Sequence, residues 1–189
     1  MMTDHIGQIA AHARKAHWAR ALLYLVDILP EARVQSNFPG FGLAVKACVK
    51  AAQWQHALGV IRLMDRHQAA RNNVVVSSVL NACARKSRWE AAHMLLADSI
   101  ARELRPDMIS YNVTIHACAH GASWHAALAL CRDARRRQLE PTAVTYNSLI
   151  SACEKGAKWA SALWLLTEMV SLRLHADVSG HSAAISACE

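Results

Sequence analysis

The side chains that could do chemistry in this chain recur at one spacing. Five of the six cysteines lie 35 residues apart, at Cys48, Cys83, Cys118, Cys153 and Cys188. Four cationic or titratable side chains keep the same spacing, at Lys50, Arg85, His120 and Lys155. Thiols can form disulfides or bind metal, and a row of cations can neutralise successive phosphate groups. The cations could equally offset the dipoles of successive helix ends, and the sequence leaves both interpretations open.

The cysteines favour a structural interpretation. Residues at the same place in successive repeats face the same way, so they are more simply explained as small buried apolar groups than as disulfide partners. No Cys-x-x-Cys pair occurs, and on a helix Cys118 would face away from His116 and His120. Neither a phosphate-binding glycine loop nor a nucleophilic serine motif is present. We therefore expect no metal, no cofactor and no enzymatic activity.

A fixed period of this size is typical of stacked-repeat proteins, and tryptophan keeps it at Trp54, Trp89, Trp124 and Trp159. The phase predicts one solenoid domain built from repeats. Its predicted boundaries are a divergent repeat over 2–37, full repeats over 38–72, 73–107, 108–142 and 143–177, and a truncated repeat over 178–189. We interpret the chain as a fragment of a longer array or as an array whose last repeat is unfinished.

Each repeat has the pattern of two helices. In 143–177 an apolar face recurs at i, i+3, i+4 and i+7, formed by Tyr146, Leu149, Ile150 and Cys153. Gly156 is predicted to supply the left-handed turn that ends this helix, and Trp159 begins the apolar face of the next. Ser87-Arg88-Trp89-Glu90 predicts a capping box. Stacked hairpins predict an all-α, right-handed superhelical α-solenoid of 35-residue helix–turn–helix repeats, with tryptophan buried in the seams.

The composition limits the classes of partner. The 189 residues are 53% hydrophobic and 19% charged, with a formal net charge of +7. A basic chain is compatible with nucleic acid, an acidic partner or an anionic membrane surface. No apolar run reaches the roughly 18 residues of a membrane span, and no targeting peptide is evident.

Two segments carry a resemblance to a known family. Met108-Ile-Ser-Tyr-Asn-Val-Thr-Ile and Ala143-Val-Thr-Tyr-Asn-Ser-Leu-Ile, with Ala127-Leu128 and Ala162-Leu163 in the second helices, resemble pentatricopeptide repeats. The resemblance covers nearly the whole chain and is strongest over 73–177. The tetratricopeptide repeat is the nearest competitor, but its period is 34 residues.

The resemblance implies single-stranded RNA binding, with one base read per repeat. In that family the fifth and last residues of each repeat contact the base edge and the second wedges beside the base. Carried over, the base-reading pairs are Gly42 and Asn72, Ser77 and Asp107, Asn112 and Thr142, and Asn147 and Asp177. The wedges are Val74, Ile109 and Val144, and the phosphate contacts are Lys50, Arg85, His120 and Lys155.

The resemblance also implies a base for three of the pairs. Asn147 with Asp177 implies uracil, Ser77 with Asp107 implies guanine, and Asn112 with Thr142 implies a pyrimidine. Gly42 offers no side chain, so its repeat has no assigned base.

The family implies organellar RNA processing, stability or translation, in a mitochondrion or chloroplast. Other RNA-processing proteins are implied as partners. No membrane partner and no small-molecule substrate are expected. Two alternatives stand beside these implications. Asn112 and Asn147 could be helix caps, since asparagine favours that position. The chain could instead be a protein-interaction scaffold that binds no RNA.

Overall fold

Helix is the only regular structure among the residues that the computed structural model describes, which are 2–15, 17–28, 39–174 and 178–187. Contacts divide the chain into two compact units, Met1–Ala82 and Cys83–Glu189. No helix in the described ranges has the length and apolar character needed to span a bilayer. Cys188 and the predicted reading residue Asp177 lie outside the described residues.

Eleven helices cover the described residues. The first unit contains α1 (Met2–Arg14), α2 (Trp18–Ile28), α3 (Pro39–Lys50) and α4 (Trp54–Arg66). The boundary between the units falls within α5 (Asn73–Arg85). The second unit contains α6 (Trp89–Ala101), α7 (Met108–His120), α8 (Trp124–Arg136), α9 (Ala143–Lys155), α10 (Trp159–Ser171) and α11 (Val178–Ser186).

The helices of the second unit form two layers. The first helices of successive hairpins touch one another, α7 against α9 and α9 against α11. Helices α8 and α10 each pack on their own first helix and on the first helix that follows, and α6 packs on α7. The backbones of α8 and α10 do not approach closely, and the two helices meet through side chains, as in the Arg135–Glu168 ion pair. The first helices are therefore the more closely spaced layer. In the first unit α1 likewise contacts both α2 and α3, and α3 contacts α4.

The apolar faces predicted from the helical period form the core. Tyr146, Leu149, Ile150 and Cys153 of α9 are all fully buried. The five described cysteines are free and buried, at Cys48, Cys83, Cys118, Cys131 and Cys153. Burial raises the pKa of the Cys153 thiol to about 11 and that of Cys118 to about 12, so both stay protonated and unreactive at neutral pH. The structural interpretation of these cysteines is confirmed.

Helices α3 to α10 all end in the same motif. The residue after each C-cap has a left-handed backbone, with φ between 50° and 63°, and none of these residues is glycine. They are Ala52, Gln68, Ser87, Glu103, Ala122, Gln138, Ala157 and Arg173. After α9 the Lys158 N–H donates to the Cys153 carbonyl and the Ala157 N–H to the Glu154 carbonyl, both at 2.9 Å, which is a Schellman motif.

The predicted role of Gly156 is therefore wrong. Its φ is −88°, and Ala157 takes the left-handed conformation instead. A Cβ on Gly156 would lie 3.0 Å from Cγ of Trp124 and closer still to Cδ1. Gly121 has the same relation to Trp89. Each glycine is needed because the tryptophan of the preceding hairpin packs against its Cα.

Tryptophan does lie at the seams, but it is not buried there as predicted. Trp124 contacts the next hairpin at Gly156 and remains partly accessible, with the Lys158 ammonium 5.2 Å from its ring centre. Trp159 is 57% exposed. Because these rings keep contact with solvent, their removal should cost less than the loss of a fully buried tryptophan.

The predicted capping box at residues 87–90 is also wrong. The N-cap of α6 is Arg88, and it makes no side-chain cap hydrogen bond. Ser87 cannot serve because it occupies the left-handed position that ends α5. The side-chain caps lie instead at the starts of first helices, where Asp107 accepts from the Ser110 N–H.

Replacing the left-handed alanines by glycine should stabilise the protein. We expect Ala52→Gly, Ala122→Gly and Ala157→Gly each to raise the free energy of unfolding by roughly 0.5–1 kcal/mol, because glycine adopts positive φ without a Cβ clash. Chemical denaturation would measure the change. Ala51→Gly is the matched control, since Ala51 precedes the left-handed residue and has negative φ. It should be neutral or destabilising, and equal effects at 51 and 52 would contradict the argument.

Candidate nucleic-acid interface

The first helices present an apolar side chain to solvent at the same place in successive repeats. Val74, Ile109 and Val144 are the second residues of their repeats, at the starts of α5, α7 and α9. They are 73%, 64% and 62% exposed. Aliphatic side chains so exposed add little to the core, so they are available to pack against a partner.

The fifth residues lie just beyond these aliphatic side chains. Asn112 and Asn147 are helix residues, while the caps are Asp107 and Thr142, so the alternative that the two asparagines are caps is wrong. Asn112 Oδ1 accepts from the Thr145 hydroxyl at 2.7 Å. Asn147 Oδ1 is buried and accepts no hydrogen bond from any described residue. Two asparagines at equivalent positions are thus held differently.

The fifth residues of the two preceding repeats have fewer groups that can hydrogen-bond to a base than the asparagines have. The Ser77 hydroxyl donates to the Asn73 carbonyl of its own helix at 2.6 Å. Gly42 lies within α3, where a Cβ would meet only Val75 Cγ2 at 3.8 Å, so its lack of a side chain is not required by packing. Ser77 keeps an oxygen that can accept, while Gly42 has nothing with which to read a base.

The last residues of three repeats cap the first helix of the next. Asn72 Oδ1 accepts from the Val75 N–H at 2.8 Å. Asp107 Oδ1 accepts from both the backbone N–H and the hydroxyl of Ser110, at 2.9 and 2.8 Å. The Thr142 N–H donates to the Thr145 hydroxyl oxygen at 2.9 Å, which is half of a capping box. Capping fixes where these side chains lie, and the second Asp107 oxygen remains available.

The cationic side chains lie at the opposite ends of the same helices. In the second unit Arg85, His120 and Lys155 are the last residues of α5, α7 and α9, and all are exposed. The rings of His116 and His120 lie 4.5 Å apart. Partial burial and the charges of His120 and Lys155 lower the pKa of His116. The charge of Lys155 therefore acts on His116 of the preceding repeat, and positive charge continues from one repeat to the next.

Lys50, in the first unit, has a different environment. Its Nζ donates to the Arg14 carbonyl at the C-terminus of α1, at 3.3 Å. This bond fits the helix-end alternative for Lys50. In the second unit Cys118 is buried while His116 and His120 are exposed, and the described residues contain no cluster of three or more metal-binding side chains.

A polar network that joins first and second helices was missed from the sequence. The Tyr111 hydroxyl donates to Asp133, to which Arg137 Nε also donates at 2.9 Å. Arg135 of the same repeat donates to two residues of the next repeat, the Tyr146 hydroxyl and Glu168 Oε1, the latter at 2.9 Å.

The network holds Arg135 and Arg137 in ion pairs with Glu168 and Asp133. Burial and then the bond to Asp133 raise the pKa of Tyr111. Partial burial raises the pKa of Asp133, but the bonds from Tyr111 and Arg137 outweigh it and lower that pKa. The sequence contains a sign of this network, because the tyrosines and the acidic residues both recur every 35 residues.

Two repeat models match the second half of the chain. That of the PPR repeat family matches residues 106–155, and that of the PPR repeat matches residues 144–174. No curated protein sequence matches the chain.

Solved structures are similar over nearly the whole chain. PPR10 in complex with an 18-nt psaJ RNA element is 23% identical with a TM-score of 0.71, over 95% of this chain and 26% of PPR10. The PPR domain of Arabidopsis thaliana protein-only RNase P 1, in complex with tRNA, is 11% identical with a TM-score of 0.76, over 96% of this chain and 95% of that domain. Nuclear proteinaceous RNase P 2 from A. thaliana is 10% identical with a TM-score of 0.76, over 88% and 38% of the two chains.

The chain thus spans about a quarter of PPR10, the first of these structures. The predicted fold class is confirmed as an all-α solenoid of helical hairpins. Residues 106–174 therefore carry pentatricopeptide repeats, and the fold over nearly the whole chain is that of solved pentatricopeptide repeat structures.

Proposed function

We propose that this chain binds single-stranded RNA on the layer of first helices and catalyses no reaction itself. The observation that carries the proposal is the exposed aliphatic residue at the second position of α5, α7 and α9, which precedes a polar fifth residue by three positions. An aliphatic side chain can pack against the face of a base while a polar neighbour on the same helix face bonds to its edge.

Charge supports the same proposal. Arg85, His120 and Lys155 lie eight residues beyond the fifth positions of α5, α7 and α9, about 12 Å along each helix at 1.5 Å per residue. Bases could therefore bind near the helix N-termini while the phosphates follow the cations. The formal net charge of +7 adds long-range attraction to a polyanion.

The proposed biological setting is taken from the family that the chain resembles. We propose that the chain acts within a longer repeat array, because a few nucleotides select too poorly among competing sites. The array would hold a transcript in a mitochondrion or chloroplast and so affect its processing, stability or translation, together with other RNA-processing proteins. The two RNase P proteins carry such a domain within an RNase, whereas the described residues of this chain form helical repeats.

Salt titration tests RNA binding directly. The logarithm of the affinity for single-stranded RNA should fall linearly with the logarithm of salt, with a slope of about −0.7 per phosphate contact. Duplex RNA of the same sequence is the control and should bind more weakly. Absence of binding at low salt would favour the scaffold alternative, which the exposed Trp159, Trp164 and Val170 of α10 also support.

Base preference tests the reading pairs. We expect Asn147→Ser to shift the preference of repeat 143–177 from uracil towards guanine by about tenfold, because it creates the Ser–Asp pair of repeat 73–107. The reciprocal Ser77→Asn should shift repeat 73–107 from guanine towards uracil. Selection from randomised RNA would measure both. Identical enriched sequences for wild type and Asn147→Ser would reject the assignment.

A further inference from the structure

We propose that Thr145, the third residue of α9, is a positioning residue that sets which hydrogen-bonding group Asn112 presents to a base. Through Asn112 it would make repeat 108–142 prefer cytosine to uracil. This inference rests on the proposed RNA-binding function and deepens it. Its evidence is a hydrogen-bond relay that joins both reading residues of one repeat through a side chain of the next.

The relay has a defined direction. The Thr142 backbone N–H can only donate, and it donates to Thr145 Oγ1 at 2.9 Å. Thr145 is fully buried, so its hydroxyl hydrogen needs an acceptor within the protein. Asn112 Oδ1 lies 2.7 Å from Thr145 Oγ1, whereas Thr142 Oγ1 lies 3.4 Å away. The shorter contact indicates that the hydrogen goes to Asn112.

The relay fixes the Asn112 carboxamide. Thr145 binds one of the two lone pairs of the Asn112 oxygen and holds that oxygen against α9, so Asn112 Nδ2, which only donates, is the group left to meet a ligand. Cytosine offers adjacent acceptors at O2 and N3, whereas uracil presents an N3–H donor between its two carbonyl oxygens. A donor-only amide therefore matches the centre of the cytosine edge and opposes the centre of the uracil edge.

The neighbouring repeats lack this relay. Ser110, the third residue of α7, directs its hydroxyl to Asp107 at 2.8 Å. Gly180, the third residue of α11, has no hydroxyl to offer. Thr145 holds the equivalent oxygen in the preceding repeat. Asn147 Oδ1 is buried and accepts no hydrogen bond from any residue that the structure describes. The Asn147 amide is thus not locked, and it can turn its oxygen to the uracil N3–H that its reading pair implies.

The test compares two short RNAs whose cores differ at one base, guanine–cytosine–uracil and guanine–uracil–uracil. Each core is flanked by adenines and is tested in both strand directions. Wild type should bind the cytosine RNA about tenfold more tightly, and Thr145→Val, which replaces the hydroxyl by a methyl group, should abolish or reverse that ratio. Thr145→Ser keeps the hydroxyl and should retain it. Thr114→Val is the matched control, because Thr114 is also buried but bonds to the Ser110 carbonyl at 2.9 Å, away from the reading pair.

Gly180→Ser tests the idea by gain of function and does not depend on Thr145→Val folding. A hydroxyl at this position should hold Asn147 Oδ1 and shift repeat 143–177 from uracil towards cytosine. Unchanged cytosine-to-uracil ratios in both Thr145→Val and Gly180→Ser would overturn the inference while RNA binding persisted. Failure of wild type to bind either RNA would instead overturn the proposed function.

Discussion

Gly121→Ala and Gly156→Ala should each lower the free energy of unfolding by about 1–3 kcal/mol, because each adds a methyl group where no space exists. The new Cβ would overlap Cδ1 of Trp89 or Trp124, an atom near the base of a stiff side chain. Relief requires the ring to move or the hairpins to separate. The two sites lie in different hairpins, so the double variant should lose about the sum. Denaturant unfolding monitored by circular dichroism measures the change.

Two further variants isolate the cause. Gly59→Ala is the matched control, because Gly59 lies within α4 and a Cβ there meets no atom within 4 Å. It should stabilise by roughly 0.5–1 kcal/mol, since alanine favours helix more than glycine does. In a Trp124→Ala background, Gly156→Ala should cost much less. If the two substitutions were additive, the glycine would not be serving the tryptophan.

Arg85→Gln combined with Lys155→Gln should weaken binding to single-stranded RNA by about ten- to a hundredfold at moderate salt. Each lost phosphate contact also reduces the slope of log affinity against log salt by about 0.7. The two variants together should therefore flatten that slope by about 1.4. Base preference should not change, because phosphate contacts position the strand and do not read sequence.

The control changes the same amount of charge elsewhere. Arg132→Gln with Arg136→Gln removes two exposed cations from α8, a second helix. It should alter RNA affinity only slightly, through the lower net charge. An equal loss in both pairs of variants would mean that total charge, and not a row of cations on the first helices, governs binding.

The helices of the fold could be predicted from local sequence patterns, but the contacts between repeats could not. The period of Tyr146, Leu149, Ile150 and Cys153 predicted the buried face of α9, because burial of one helix face is encoded in that helix alone. The function of Gly156 could not be predicted this way. A glycine at a helix end signals a turn, but here it makes room for a ring from another hairpin.

In the candidate site, too, the positions of residues could be predicted from the sequence, but their contacts with other repeats could not. The phase placed Asn112 and Asn147 at equivalent positions, and the structure shows that they differ, because Thr145 contacts one and Gly180 replaces it at the other. The Tyr111–Asp133 and Arg135–Glu168 bonds also join helices whose residues are far apart in sequence. The 35-residue spacing shows that these polar residues recur in each repeat. Only the packed helices show which of them form hydrogen bonds with one another.

The left-handed residues at the ends of α3 to α10 bear on how the array deforms. A glycine turn would be a soft hinge, but each of these turns carries a Cβ and has few alternative backbone conformations. The turns within hairpins, after α3, α5, α7 and α9, and the turns between hairpins, after α4, α6, α8 and α10, should therefore all be stiff. We expect the array to adapt to a bound strand by many small shifts in the packing between helices, and not by rotation at a few turns.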